Sequence, residues 1–527
     1  MGRFTKIICQ FYAPQTPDDL SKMSYKKNNS FQQNLARFAR KCLLLFAITS
    51  ITIHGVTQVI SLHPKNPHYF FYKGKPAILI TSAEHYGAVI NSDFDYKTYL
   101  DVLKKNGFNL TRIFVGSYCE GSFYDFAPGK ELSWQENQNT LAVRPEKLIV
   151  PWARSNTAGY LGGGNKFDLD KWDEHYLTRL KDFCKQAAQR NIIVEIVFFS
   201  ANYGPVTWKN SPLNIANNIN NIGDVAYNET HLLKNKDLID RQLSMVRKIV
   251  EEMNGFDNIY FEICNEPYWI KGIPEVEPSI KAQQFLPETD EWQKIISSAI
   301  KTTEQHLPKK HLIAQNFANK YFKIEKPDSA VAIFNFHYAY PPSAVTDNYW
   351  WNKPIAFDET FEGLNAPGRR REAWAFILAG GAVYDNLDWS FATDDATGRG
   401  RNIAGLRQSG REVWEQLGIL SRAINSFDFI NAKPLDSSYV QNLPDGINFY
   451  GLGIKGKDYL LYLVKNKATK VNECNLPLPA GKYLLKWIDP VDGSILKQER
   501  TTHSDNSFKI KCPSFTDDIA LRIKALK

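Results

Sequence analysis

The 527 residues are 43% hydrophobic and 23% charged, ordinary globular proportions at a length that favours one large domain plus a smaller one. The net charge of +8 is concentrated at the amino end. Eight Lys or Arg (Arg3, Lys6, Lys22, Lys26, Lys27, Arg37, Arg40, Lys41) against Asp18 and Asp19 give residues 1–57 a net +6, which leaves about +2 for the rest. With no basic arm or stripe beyond that point, the composition argues against nucleic acid as a partner.

The first predicted element is a targeting segment over 1–57. Arg37, Arg40 and Lys41 precede the apolar run Cys42–Ile53, which has the length of a signal-peptide core and is too short to span a bilayer. Export follows as an expectation, with Met23 an alternative start. Residues 62–76 read as a short hairpin capping the entrance of the next domain.

From 58 to 425, strand-like and helix-like segments alternate. Strands are expected at 77–83, 109–115, 192–200, 258–266, 311–317, 331–338, 354–360 and 382–390. Amphipathic helical stretches such as 96–106, 171–190, 236–253, 291–306 and 369–379 fall between them. Eight such units predict an α/β fold, a (β/α)8 TIM barrel. No strand is followed by GxGxxG or a P-loop, which disfavours a doubly wound nucleotide binder. Helix-to-strand connections are short, as at Gly107-Phe108 and Asn191, whereas the strand-to-helix loops near 116–169, 201–235 and 267–288 are long. Long loops at the carboxyl ends of strands mark the functional face of a barrel. They carry Trp134, Trp152, Trp208 and Trp269. Over 430–527 helical periodicity gives way to short β-type runs separated by turns such as Asp489-Pro-Val-Asp-Gly493, which predicts a small antiparallel β-sandwich.

Two glutamates sit where predicted strands run out. Glu266 ends the run from Asn258 and is followed by Pro267; Glu359 ends the run from Pro354. Paired carboxylates from different strands are what glycosidic bond cleavage requires, one as acid and one as base or nucleophile. Alternation puts Ile355, Phe357 and Glu359 on one face, with Asp358 pointing elsewhere. Glu262 shares the phase of Glu266 but lies deeper, as a paired structural charge. Glu84-His85-Tyr86 ends the first strand and is read either as a substrate contact through His85 or as a core cluster. Seven cysteines form no CxxC or Cys/His cluster, so neither a metal nor an organic cofactor is expected; Cys474 and Cys512 are near enough in sequence to pair.

Over roughly 69–425 the chain resembles the clan A glycoside hydrolases, particularly glycoside hydrolase family 5, the cellulase-like family. The resemblance rests on Arg112 at the second strand, Asn265-Glu266-Pro267 at the fourth, His337-Tyr338 at the sixth, Glu359 at the seventh and Trp389 at the eighth. It implies a retaining mechanism on a β-linked glycan, with Glu266 as acid/base and Glu359 as nucleophile. Asn265 is then suited to the sugar 2-hydroxyl, Arg112 to holding Glu359 ionised, and Trp389 to flooring the subsite of the cleaved sugar. The family often shows His-x-Tyr where this chain reads His337-Tyr-Ala-Tyr340, so Tyr338 and Tyr340 both stand as partners of the nucleophile, with Tyr338 preferred. The competing reading is a non-catalytic glycan-binding protein on the same barrel. An oligo- or polysaccharide is the expected partner in either case.

Overall fold

The computed structural model describes residues 59–119, 145–268, 287–360, 365–388, 390–399 and 410–526, apart from 437, 468, 472 and 506. All of them belong to one compact unit, Gln58–Lys527.

Nine strand segments form one all-parallel sheet. The first pass through it, β1, is interrupted: its halves are Leu79–Ile80 and Glu84–His85. Then come β2 (Leu110–Phe114), β3 (Ile193–Ser200), β4 (Ile259–Asn265), β5 (Ile313–Asn319), β6 (Ile333–His337), β7 (Ile355–Glu359) and β8 (Val383–Tyr384). The two halves of β1 close the barrel. Leu79 and Ile80 pair with Val383 and Tyr384 of β8, while Glu84 and His85 pair with Arg112 and Ile113 of β2. Every residue of β2 through β7 is buried. A parallel strand covered on both faces must be apolar nearly throughout, which is why these runs stand out in the sequence. The charged exceptions, Arg112, Glu195, Glu262, Asp358 and Glu359, therefore need partners inside the barrel.

Helices between the strands form the outer layer, and their starts are encoded locally. Asp95 accepts from the backbone N–H groups of Lys97 and Thr98 ahead of helix Tyr96–Lys105, and Asp173 does the same for His175 and Tyr176 ahead of Glu174–Gln189. Such caps satisfy amides that have no partner in the first turn. The hairpin segment is a three-stranded antiparallel sheet, Ser61–Leu62, Phe70–Tyr72 and Lys75–Ala77. It lies at the amino ends of the barrel strands, where Ile60 donates to the Asp257 carbonyl and Phe70 stacks on Tyr260. The chain enters β1 from that end, so the cap covers the floor of the barrel, opposite the strand tips. The long loop after β2 contains an antiparallel ribbon, Trp152–Ala158 with Asn165–Trp172.

The carboxyl-terminal region is a six-stranded antiparallel sheet with a two-stranded sheet, Glu473–Leu476 and Phe508–Lys511, on one side. Period-two alternation explains how it packs. In Asp458–Lys465, Leu460, Tyr462 and Val464 join the barrel's core, while Tyr459, Leu461 and Leu463 join a separate core with Trp487 and Leu485. Helix Ala366–Leu378, which connects β7 to β8, lies against the first of these faces. Trp374 stacks on Tyr462, Arg370 forms a bidentate pair with Asp518 at 2.7 and 2.8 Å, and the Tyr462 hydroxyl donates to Asp518 at 2.6 Å. Cys474 and Cys512, which their place in the sequence would have allowed to pair, are free thiols. The strand register sets Cys474 opposite Ile510, two residues short of Cys512.

Candidate active site

Four strands end on one point. β2 delivers Arg112, β4 delivers Glu262, Asn265 and Glu266, β6 delivers His337 and Tyr338, and β7 delivers Asp358 and Glu359. The turns at the strand tips are unusual. Glu266 has φ 48° and Tyr338 has φ 52°, both left-handed without being glycine. Such residues cost on the order of 1–3 kcal/mol each and persist where surrounding contacts fix them.

The contacts are dense. Arg112 is fully buried and donates to Glu262 at 2.9 and 2.6 Å and to Asn265 Oδ1 at 2.7 Å. Its Nη1 lies 3.6 Å from Glu359 Oε2, and its Nε lies 3.8 Å from Asp358. The guanidinium thus faces Glu359, as expected, and among its hydrogen bonds are those to Glu262 and Asn265. Asn265 Nδ2 donates to the Tyr203 hydroxyl at 2.8 Å, and Tyr203 donates to Glu266 Oε2 at 2.7 Å. His337 Nδ1 stands 3.1 Å from Glu266 Oε1 and 3.4 Å from Glu359 Oε2. The Tyr338 hydroxyl donates to Glu359 Oε1 at 3.0 Å, and Tyr86 approaches Oε2 at 3.5 Å. Glu266 and Glu359 are each 3% exposed, so substrate would meet them in a site largely stripped of water. Oxygens of the two carboxylates and Nδ1 of His337 all lie within 4.8 Å of one another, a spacing that would also suit a metal ion.

The charge balance below the mouth is uneven. Arg112 and His337 face Glu195, Glu262, Asp358, Glu266 and Glu359. Burial raises the pKa of Glu195 well above its ordinary value, reinforced by the charges of Glu262 and Asp358. Burial pushes Asp358 up to about 7, against the pull of Arg112. Burial opposes a charge on His337, but Glu359 and Glu266 outweigh it and hold the imidazole well above 6.5. The interior therefore retains protons where an exposed cluster would lose them.

Arg112, Asn265, Glu266, His337, Tyr338 and Glu359 converge, whereas His85 does not join them. It is 3% exposed and its ring packs edge-on against Tyr99 and Phe391, the core-cluster alternative, and burial lowers its pKa to about 3. The next residue, Tyr86, reaches the site instead. Between the two tyrosines after His337, Tyr338 touches Glu359, while Tyr340 is influenced by Arg371, Glu372 and Asp518 at the domain junction. Trp389, Trp134 and Trp269 lie outside the described residues. Trp152 and Trp208 are buried, with Trp208 Nε1 donating to the Val225 carbonyl.

The reading of β7 needs correction. Phe357 packs against Phe376 and Tyr384 in the helix layer, and Asp358 points into the barrel, 3.5 Å from His337 Nε2. The register between β6 and β7 shifts after Phe336–Phe357, pairing His337 with Glu359. This irregularity lets Glu359 turn inward beside Asp358. Tyr203 and Asp358 are site residues that sequence reasoning missed, and in the cluster Glu84-His85-Tyr86 it singled out His85 where Tyr86 makes the contact. Tyr203 sits in a loop with no periodicity to place it, and only its position just past a strand end pointed to it.

No protein-family model matches the chain, and no curated protein matches it. Its fold is nevertheless similar to solved structures. One, described as a glycoside hydrolase, aligns over 89% of this chain and 97% of its own length at 12% identity, with a TM-score of 0.55. A glycoside hydrolase family 5 protein from Bacteroides vulgatus ATCC 8482 aligns over 89% of this chain and 93% of its own at 13% identity, with a TM-score of 0.54. At such identities the likeness establishes the architecture, a TIM barrel followed by antiparallel sheets.

Proposed function

We propose that this chain is an exported retaining glycoside hydrolase acting on β-linked glycans, with Glu266 as acid/base and Glu359 as nucleophile. The observation that carries the reading is the approach of the two carboxylates to within 4.8 Å, oxygen to oxygen. Retaining enzymes hold their carboxyl groups about 5–5.5 Å apart, whereas inverting ones need about 6.5–9.5 Å to admit water, and a close approach of the nearest oxygens favours the shorter arrangement. The surrounding contacts suit the same division of labour. Glu359 receives Tyr338 and faces Arg112, which favours a standing negative charge. Glu266 lies next to it at the barrel mouth, where a leaving-group oxygen would enter.

Glu359 attacks the anomeric carbon while the glycosidic bond breaks toward its oxygen, which takes a proton from Glu266. Water then attacks the same carbon, gives its proton to Glu266, and releases Glu359 with its electron pair. The basic segment ending at Lys41 and the apolar run 42–53 support export to the periplasm, surface or medium, with the barrel over 58–425 and the β-sandwich over 430–527 as the mature parts.

The test is hydrolysis of a panel of β-linked polysaccharides and aryl β-glycosides by wild type, Glu266→Ala and Glu359→Ala. Activity lost in Glu359→Ala and restored by azide with an inverted glycosyl azide supports the retaining assignment. Glycan binding without turnover, unaffected by either substitution, would replace it with a binding protein.

A further inference from the structure

We infer that His337 Nδ1–H is a single donor that follows the negative charge from one glutamate to the other, kept in place by Asp358 acting on the opposite ring nitrogen. The inference rests on the retaining reading above. In such a reaction the charge sits on Glu359 before bond cleavage and on Glu266 in the covalent intermediate. Nδ1 stands 3.1 Å from one carboxylate and 3.4 Å from the other. A small tilt of a buried ring is enough to move the bond between them.

The donor role requires that Nδ1 always carry the hydrogen. The other ring nitrogen, Nε2, lies 3.5 Å from Asp358 Oδ1, an ion-pair contact, and neither atom makes a hydrogen bond to any of the described residues. The groups facing this pair include Glu262 and Glu266 at β4, Arg112 from β2, Glu195 from β3, Glu359 from β7 and Asp385 just past β8. Arg112 is committed to Glu262 and Asn265. One proton is shared between Nε2 and Asp358. Whether it rests on the ring as imidazolium or on the carboxyl, Nδ1 keeps its own hydrogen. Both groups favour holding that proton, since His337 is raised well above 6.5 and Asp358 to about 7. An acid oriented behind a histidine to fix its tautomer is an established device in acyl transfer. Here it would serve two carboxylates in turn, without net proton transfer. His337 and Asp358 are accordingly positioning residues.

The experiment combines two readouts on wild type, Asp358→Leu and Asp358→Asn. The first is 15N NMR of ring nitrogens in protein labelled at histidine, with His337 assigned by its loss in His337→Asn. Wild type should show Nδ1 protonated in the free enzyme and in enzyme trapped with a 2-fluoro dinitrophenyl glycoside. Asp358→Leu should shift population to bare Nδ1. The second is kinetics. Because the donor serves both carboxylates, Asp358→Leu should slow kcat/KM on 4-nitrophenyl glycosides and kcat on dinitrophenyl glycosides alike, each by about tenfold or more. Bare Nδ1 in wild type, an unchanged ring in Asp358→Leu, or loss of only one step overturns the inference. If Asp358→Leu does not fold, Asp358→Asn carries both measurements, and there an unaltered ring and unaltered rates sink the proposal. Should wild type turn over no glycoside, the retaining reading fails, while the free-enzyme spectra still decide whether Asp358 controls the ring.

Discussion

Replacing Arg112 by methionine removes the fixed cation beneath the site and leaves its partners facing one another. Three hydrogen bonds of 2.6–2.9 Å disappear, two to Glu262 and one to Asn265. Glu359 at 3.6 Å, Asp358 at 3.8 Å and Glu195 at 4.0 Å lose their nearest guanidinium contact. Breaking a buried pair from one side typically destabilises by about 3–5 kcal/mol, and Arg112→Met belongs at the upper end because several carboxylates are stranded together. Glu262→Gln is the informative contrast. It keeps an acceptor for the guanidinium and subtracts one negative charge from a cluster with an excess, so its effect should stay near 1–2 kcal/mol on the usual scale for a weakened charged hydrogen bond. Urea unfolding of both variants at neutral pH gives the comparison, read as midpoint shifts at constant m-value. Equal destabilisation, or a larger effect from Glu262→Gln, would refute the charge accounting.

Other consequences are open to measurement. Asp358 has a folded pKa of about 7 against an ordinary 3.8, so the folded state binds the extra proton between those values, and stability should fall as pH rises from about 4 to 7. Asp358→Asn should flatten that slope, whose full extent is on the order of 4 kcal/mol, and unfolding midpoints at pH values either side of the window would show no difference if the account is wrong. Tyr338→Phe removes the 3.0 Å bond to Glu359 and should lower kcat/KM about 10- to 100-fold with little change in unfolding midpoint; a change confined to KM would argue against contact with the nucleophile. Tyr203→Phe, which removes the 2.7 Å bond to Glu266, should slow glycosides with poor leaving groups more than dinitrophenyl glycosides, and equal slowing would detach it from acid catalysis. Arg370→Met leaves Asp518 buried with Tyr462 as its one hydrogen-bonding side chain among the described residues and should destabilise by about 3 kcal/mol; a change under about 0.5 kcal/mol would show that the sheet adds little to the barrel.

Much of the fold was legible because burial on both faces leaves a strong trace. Runs such as Ile193–Ser200 and Ile259–Asn265 are nearly unbroken apolar strands, and the expected spans differ from the observed ones by one or two residues at most ends. The carboxyl-terminal strands were legible for the same reason, since Tyr459–Val464 faces two separate cores. The side of the barrel capped by the hairpin and the state of Cys474 and Cys512 were not, because both depend on where chain segments lie in space.

The site divides along the same physical line. Periodicity describes the body of a strand, where every residue repeats its neighbour's geometry, and it placed Glu262 correctly as a deep, paired charge, whose partner in the structure is Arg112. It loses authority at the tip. Glu266 and Tyr338 adopt left-handed backbone, and the register between β6 and β7 slips beside His337. Each departure reorients one side chain by an amount no alternating pattern anticipates, which is how Glu359 came to face inward beside Asp358. These tips are also where Glu266, His337, Tyr338 and Glu359 meet, and the two facts have one cause. A regular strand sends neighbouring side chains to opposite faces, so bringing several onto one point from four strands requires leaving regular geometry at the last residue. The irregular positions of a parallel barrel's carboxyl ends are therefore where pattern-based reading should be trusted least and where candidate catalytic geometry should be sought first.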